Sequence, residues 1–167
     1  MNKFATAAVN ALASLALLCA LAPAGARAAD ATTGARAGTD ALRAQALLKK
    51  AVAHYRLLKD KAFADFDHER DFVDGELYVY VVSSATGVLL ASGGPSFALV
   101  NRNVADLEDA TGKAFFREMI AKAKAKADGA GTVEYLWLDP ADNKEEHKQA
   151  YFQTVDDRII AVGYYKR

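Results

Sequence analysis

Apolar residues between positions 39 and 67 recur every three or four positions, and this stretch contains neither Gly nor Pro. That spacing places them on one side of an α-helix. Thr39 or Asp40 is a suitable N-cap. We therefore predict one amphipathic helix of roughly 28 residues, about 42 Å long at 1.5 Å per residue. Its apolar stripe consists of Leu48, Val52, Tyr55, Leu58, Ala62 and Phe66.

Positions 77–83 follow a different pattern, LYVYVVS, in which both alternating sets of side chains are apolar. Such a segment is typical of a central β-strand that is covered on both faces. The turn at 84–87 and the segment 88–91 complete a predicted hairpin. Three further strands are predicted at 132–138, 148–155 and 158–165.

A second amphipathic segment lies between these two groups of strands. Asp109 or Thr111 is expected to cap it, and Gly129 and Gly131 to end it. Its apolar stripe consists of Phe115, Phe116, Met119, Ile120 and Ala123. The order of helix, two strands, helix and three strands indicates an α+β fold, a five-stranded antiparallel sheet with helices on one side. The intervening stretch 92–109 has no sustained period, and long loops of this kind are commonly functional.

The start of the chain has the features of a secretory signal peptide. Lys3 precedes an uncharged apolar run of eleven residues at 11–21, and Ala26-Arg27-Ala28 forms a small-x-small site. We predict cleavage after Ala28. A retained membrane anchor is the alternative, but a bilayer takes about 20 apolar residues. The expected organisation is a signal peptide at 1–28, a flexible tail at 29–38 and one domain at 39–167.

Charge and cysteine content narrow the setting and the class of partner. The chain has 21 basic and 21 acidic residues, so without Lys3 and Arg27 it carries 19 against 21, a net charge of −2. A nucleic-acid partner is therefore not expected, because it calls for a basic excess. The single cysteine, Cys19, lies in the leader. An exported chain without cysteines suits a bacterial periplasm.

Catalytic and metal-binding patterns are not found in the sequence. The three histidines, His54, His68 and His147, lack metal-ligand spacing. Ser83 and Ser84 do not stand in a nucleophile elbow. We therefore expect a binding protein, with no enzymatic activity, cofactor or metal.

Candidate binding residues concentrate in the segment 131–151. Tyr135 and Trp137 share a strand face, and their O–H and N–H groups are donors for a carboxylate. Lys148 would supply the positive charge, since a partly buried ammonium needs a counter-charge. Tyr151 has the opposite parity to Lys148, so both reach one pocket only if a bulge intervenes.

Three further candidates lie outside that segment. Tyr78 and Tyr80 share one face of the strand at 77–83, and Arg102 in the long loop could clamp a carboxylate. Each candidate also has a structural interpretation. The aromatic residues could simply be core, and Lys148 and Arg102 could be solvated surface cations.

Five pieces of the chain form a recognisable ordered set. They are 77–81 (LYVYV) with Gly87 and 89–91 (LLA); Asn103, Leu107, Asp109, Gly112 and Lys113; 131–137 (GTVEYLW) with Pro140; 148–151 (KQAY); and 162–165 (VGYY). Together these pieces resemble single Cache domains of the second type. One departure is Ala161-Val162, where the family tends to have a glycine pair.

This resemblance implies a PAS-like fold with a long N-terminal helix along the sheet, located outside the cytoplasmic membrane. It also implies a small organic acid as ligand, such as acetate, propionate, lactate or pyruvate. We expect no membrane span or signalling segment after the matching pieces. Signal output is therefore expected to pass through a membrane sensor or transporter component. The alternative is an interaction protein with a filled pocket, which forms a homodimer or docks a partner through its long helix.

Overall fold

The computed structural model describes residues 25–139 and 141–166. These residues form three α-helices, six strands and short 3-10 turns at Lys59–Lys61, Arg70–Phe72 and Pro95–Leu99. Residues 1–24, which hold most of the predicted signal peptide, lie outside the described part. The elements are α1 (Gly25–Leu58), α2 (Ala62–His68), α3 (Phe115–Ala125), β1 (Val73–Asp74), β2 (Leu77–Ser83), β3 (Leu89–Ser92), β4 (Ala130–Leu138), β5 (Glu145–Val155) and β6 (Arg158–Tyr165).

The N-terminal helix differs from its prediction at both ends. It begins at Gly25, so residues 29–38 have helical backbone. Their many alanines favour this conformation. The flexibility expected of this stretch stays a prediction. The helix ends at Leu58 because Lys59 adopts a left-handed conformation, with φ of 53°. The predicted single helix is therefore two, and Leu58, placed in the apolar stripe, is 41 % exposed.

The predicted antiparallel sheet is confirmed, with one additional short strand. Its order is β1-β2-β6-β5-β4, and β3 pairs with β2. The hairpin turn at 84–87 is closed by Gly87 N–H, which donates to the Ser83 carbonyl at 2.9 Å. Since every strand pair is antiparallel, side chains opposite one another in the register share a face.

Each face of the sheet is covered by a separate apolar cluster, so the prediction that the helices lie on one side is wrong. On one face α1 and α2 pack through residues such as Val52 and Phe66. On the other face α3 and the loop before it pack through Phe115, Phe116 and Met119. The apolar stripe predicted for α3 is confirmed: four of its five members are buried and Ile120 packs against them. This second face carries the site described below.

Asp109 does not cap α3, because the helix begins six residues later at Phe115. Its carboxylate instead accepts hydrogen bonds from the backbone N–H groups of Thr111 at 2.9 Å, Lys113 at 3.0 Å and Leu136 at 2.9 Å. The predicted cap is thus a clamp that fastens the loop to β4. Partial burial alone would raise the pKa of Asp109, but these bonds and the Thr111 hydroxyl lower it to about 2.

Replacement of Asp109 by Asn is expected to cost about 1–2 kcal/mol of unfolding free energy at pH 7. The pKa of Asp109 is lower in the folded protein than its ordinary value of 3.8. The stabilisation is therefore present above the unfolded pKa and is lost as the pH falls towards about 2. Urea unfolding at pH 7 and about pH 2.5 measures the difference. Asp106→Asn, at an exposed ion pair with Arg117, is the matched control and should change stability little. An equal effect of Asp109→Asn at both pH values would contradict the clamp.

Candidate functional site

The site is built around one line of three residues across neighbouring strands. Tyr135 on β4 lies opposite Lys148 on β5, and Lys148 lies opposite Tyr165 on β6. The three side chains therefore share the α3 face of the sheet. The sequence pattern favoured a strand for each segment but did not show this register.

Lys148 is completely buried, with 0 % exposure. Its ammonium donates a hydrogen bond to the Tyr78 hydroxyl at 2.9 Å. The same nitrogen lies 4.2 Å from the centre of the Tyr78 ring and 4.7 Å from the centre of the Tyr165 ring. Such ring faces attract a cation but do not neutralise it. Among the described residues the ammonium makes one hydrogen bond and no ion pair, although it has three donors.

Gly163 makes room for the buried lysine. It lies opposite Ala150, next to the Lys148–Tyr165 pair, on the same face. A Cβ at this position would lie 2.6 Å from Cε of Lys148. Gly94 plays a similar role for Tyr78, since a Cβ there would lie 2.5 Å from the ring. Both glycines therefore allow the Lys148–Tyr78 contact to form.

Three further tyrosines lie on the same face of the sheet as Lys148. The hydroxyls of Tyr80 and Tyr135 lie 3.3 Å apart, and the Tyr165 hydroxyl donates to the Leu138 carbonyl at 2.8 Å. Burial raises the pKa of Tyr80, Tyr135 and Tyr165 well above the ordinary value. These hydroxyls are therefore protonated and neutral at physiological pH.

Aromatic rings from α3 close the site from above. Phe115 stacks on Tyr135 with a centroid distance of 4.1 Å and contacts the edge of Trp137 at 5.5 Å. The enclosed space leaves only about 10 Å³ for the centre of a water-sized molecule. Its lining consists of Tyr78, Tyr80, Ser96, Phe115, Phe116, Tyr135 and Trp137. It is a small, mainly apolar cavity with polar hydroxyls at its edge.

The structure brings together five of the seven predicted binding residues. Tyr78, Tyr80, Tyr135 and Trp137 line the cavity, and the Lys148 ammonium contacts Tyr78 at its edge. Whether these residues bind a ligand remains a prediction.

Tyr151 and Arg102 lie apart from this group. Strand β5 is regular from Glu145 to Val155, so the bulge that a joint Lys148–Tyr151 site requires is not formed. Tyr151 is on the α1 face, where it stacks on Tyr164 at 5.8 Å. Arg102 is exposed in the loop after β3 and does not line the cavity.

Sequence reasoning missed other residues of the site, namely Ser96, Phe115, Phe116, Gly163 and Tyr165. Tyr165 could have been found from strand pairing, because a β5–β6 hairpin with its turn at 156–157 places it opposite Lys148. The two phenylalanines were assigned only to the buried stripe of α3. Ser96 had no recognisable signal, since the stretch 92–109 has no sustained hydrophobic period.

One cluster of acidic groups lies outside the cavity. Asp139, Asp142 and Glu146 bring carboxylate oxygens within 4.8 Å of one another at the β4–β5 turn. Clusters of exposed acidic groups are common without an ion, so we assign no metal to this one.

None of the helices in the described part of the chain is both long enough and apolar enough to cross a bilayer. The predicted leader is not covered by this finding, because residues 1–24 are outside the described part.

Comparison with known structures shows the same fold in sensor domains of bacterial chemoreceptors. A methyl-accepting chemotaxis protein from Vibrio parahaemolyticus RIMD 2210633 aligns with a TM-score of 0.65 and 18 % identity, over 80 % of this chain and 93 % of that chain. The periplasmic sensor domain of a chemotaxis protein aligns with a TM-score of 0.58 and 20 % identity, over 81 % and 96 %.

A third similar structure is that of a Cache chemosensory domain, which shows the structural basis of its carboxylic acid recognition. It aligns with a TM-score of 0.56 and 22 % identity, over 84 % of this chain and 95 % of that chain. No curated protein sequence matches significantly. The fold is PAS-like, as the resemblance implied.

A family model for the Cache domain matches residues 45–165, which is most of the chain and includes the lysine site. The match agrees with the resemblance found in the sequence motifs. The chain belongs to the Cache domain family.

Proposed function

We propose that this protein is a non-catalytic sensory module that binds a short organic acid at Lys148. The ligand carboxylate would accept hydrogen bonds from the Lys148 ammonium and from tyrosine hydroxyls, and Trp137 and Phe115 would enclose its carbon chain. Cache domains are sensory ligand-binding modules. The carboxylic acid recognition described for one similar structure is consistent with this ligand class.

The buried ammonium of Lys148, which makes no ion pair with the described residues, is the observation that carries the proposal. Transfer of a charge from water into an apolar site is costly unless another charge or several hydrogen bonds compensate it. Among the described residues, the Lys148 ammonium donates one hydrogen bond, to Tyr78, and lies against the rings of Tyr78 and Tyr165. A carboxylate would provide the missing opposite charge, and charge-assisted hydrogen bonds are about twice as strong as neutral ones.

The cavity is smaller than any of the proposed acids. A space of about 10 Å³ for the centre of a water-sized molecule corresponds to about one water. Binding of an acid with two to four carbons therefore requires the roof to move outwards. The roof includes Ser96, which lies in the 3-10 turn Pro95–Leu99 after β3, and its hydroxyl oxygen lies 2.7 Å from that of Ser92. This loop is where we place the conformational change.

The proposed setting is the periplasm, reached through a signal peptide cleaved after Ala28. Small organic acids reach this compartment from outside the cell. Signal output would pass to a membrane sensor or a transporter component.

A thermal-shift screen of the purified mature protein tests the ligand class. We expect stabilisation by at least one of acetate, propionate, butyrate, lactate and pyruvate, and none by acetamide or propionamide. A ligand at one hundred times its Kd adds about 2.7 kcal/mol to the free energy of unfolding. No shift with any of the acids, or equal shifts with the neutral amides, would contradict the proposal.

The alternative is an interaction protein whose cavity is filled by its own side chains, and the small volume of the cavity favours it. Such a protein would act through α1, as a homodimer or by docking a partner. The screen separates the two functions, because a filled cavity gives no response to acids. Charged substitutions at Leu48 and Val52 would test whether a dimer depends on α1.

A further inference from the structure

A second concave feature lies on the opposite face of the sheet, between α1 and the β4–β5 edge. It is an open trough of about 750 Å³. Its floor includes Leu48 and Val52 of α1 and Tyr151 of β5. The trough is independent of the lysine site, since Tyr151 and Lys148 project from opposite faces of β5.

The rim of the trough is positively charged. Lys49 and Arg56 project from α1, and Lys126 follows the last residue of α3. The lining contains one acidic residue, Asp128, so the positive charges outnumber the negative ones. These three exposed cations make no ion pair within 4.0 Å with the described carboxylates. Neighbouring lysines of the same elements do pair: Lys50 with Asp71 and Lys122 with Glu118. An apolar floor with an unpaired basic rim is complementary to an amphipathic acidic partner.

The adjacent sheet edge is blocked against an added strand. The Lys122 ammonium donates to the Thr132 carbonyl at 3.0 Å, and Lys113 donates to the Glu134 carbonyl. Asp109 accepts from the Leu136 N–H at 2.9 Å. Because these edge groups of β4 are already bonded, β-augmentation is disfavoured. A partner would therefore lie in the trough instead of extending the sheet.

The shape of the trough favours a helix over a small molecule. Small-ligand sites normally bury most of the ligand, whereas this trough is open along its length. Lys49 and Arg56 are seven residues apart, which is two helical turns or about 10 Å. Acidic residues at the same spacing on a second helix would face them. The chain's own residues 1–24 have the wrong charge for this role, since they contain Lys3 and no acidic residue.

We propose that the trough docks an acidic amphipathic helix of a partner protein. The apolar face of that helix would cover Leu48, Val52 and Tyr151, and its carboxylates would pair with Lys49, Arg56 and Lys126. This docking surface is distinct from the carboxylate site and does not depend on it.

Fluorescence anisotropy with designed 18-residue helical peptides tests the proposal. One peptide carries a Leu stripe flanked by Glu at i and i+7, and its twin carries Lys at the same positions. We expect saturable binding of the Glu peptide to the full chain and at least about tenfold weaker binding of the Lys peptide, because like charges would then meet across the interface. The double variant Lys49→Glu/Arg56→Glu should reverse this preference.

A double variant with the same change of net charge serves as the matched control. Lys61→Glu/Lys124→Glu alters two exposed residues that do not line the trough and should leave the affinity within about twofold. Lys148→Met should also leave the affinity for the Glu peptide unchanged, which separates binding at the trough from binding at the acid site. Equal loss in both double variants, or equal binding of both peptides, would overturn the proposal. So would a self-associated chain that becomes monomeric only when Lys49 and Arg56 are replaced, because a second copy would then be the occupant.

Discussion

Lys148→Met is expected to abolish stabilisation by short carboxylates without lowering the stability of the ligand-free protein. Methionine has a similar length and packs well against aromatic rings such as Tyr78 and Tyr165. The variant therefore keeps the volume of the side chain and removes its charge. Replacement of a buried ion pair by apolar groups of similar volume is often neutral or stabilising by about 1–4 kcal/mol. The same desolvation cost is relieved when a single buried charge is replaced.

Urea unfolding with and without the acid that gives the largest thermal shift measures both effects. At a hundred times Kd we expect the wild type to gain about 2.7 kcal/mol and the variant to gain nothing. Lys124→Met, at an exposed and unpaired position, is the matched control and should respond to the acid as the wild type does.

A retained response in Lys148→Met would show that the acid binds elsewhere. A large loss of ligand-free stability in the same variant would show that the ammonium stabilises the fold by itself. Either result would remove the lysine as the centre of the acid site.

Phe115→Ala is expected to lower the free energy of unfolding by about 3–5 kcal/mol, the largest stability effect proposed for this site. Phe115 is 1 % exposed and stacks on Tyr135 at 4.1 Å, with a tilt of 7°. Truncation removes the transfer free energy of the ring and leaves a cavity above Tyr135. The same cavity should shift the preference of the site towards longer acids.

Chemical denaturation and a repeated acid screen measure these two consequences. Phe97→Ala is the control, because Phe97 is 48 % exposed on the neighbouring loop and should cost under about 1 kcal/mol. A loss for Phe115→Ala no larger than that for Phe97→Ala would contradict the packing of the roof. An unchanged ranking of acids in a folded Phe115→Ala variant would show that the ligand does not lie under this ring.

The sheet could be predicted from the sequence because strand periodicity reports which faces are buried. Residues 77–83 have two apolar faces, and the structure places β2 between two apolar clusters. Five of the six residues predicted for the helical stripe are buried, with Leu58 as the exception. The break at Lys59 had no Gly or Pro to indicate it. It depends on a positive φ and on tertiary contacts such as the Lys59–Asp156 ion pair at 3.0 Å.

The site was less predictable, because its members come from four strands, a loop and a helix. The alternation of side chains along β4 and β5 was enough to place Tyr135 and Trp137 on one face. It also indicated that Tyr151 and Lys148 lie on opposite faces of a regular strand. It did not provide the register that puts Tyr165 beside Lys148, nor the depth of burial of the lysine. That burial depends on Gly163 and Gly94, whose missing side chains leave space that only the folded structure reveals.

The central claim, that a short carboxylate binds against Lys148, is tested most directly by isotope-filtered NOE spectroscopy. The mature protein would be mixed with the 13C-labelled acid that gives the largest thermal shift. We expect contacts from the ligand carbon-bound protons to the rings of Tyr78, Tyr135 and Trp137, and their loss in Lys148→Met. Contacts to Tyr151 on the opposite face, or contacts that persist in Lys148→Met, would contradict the account.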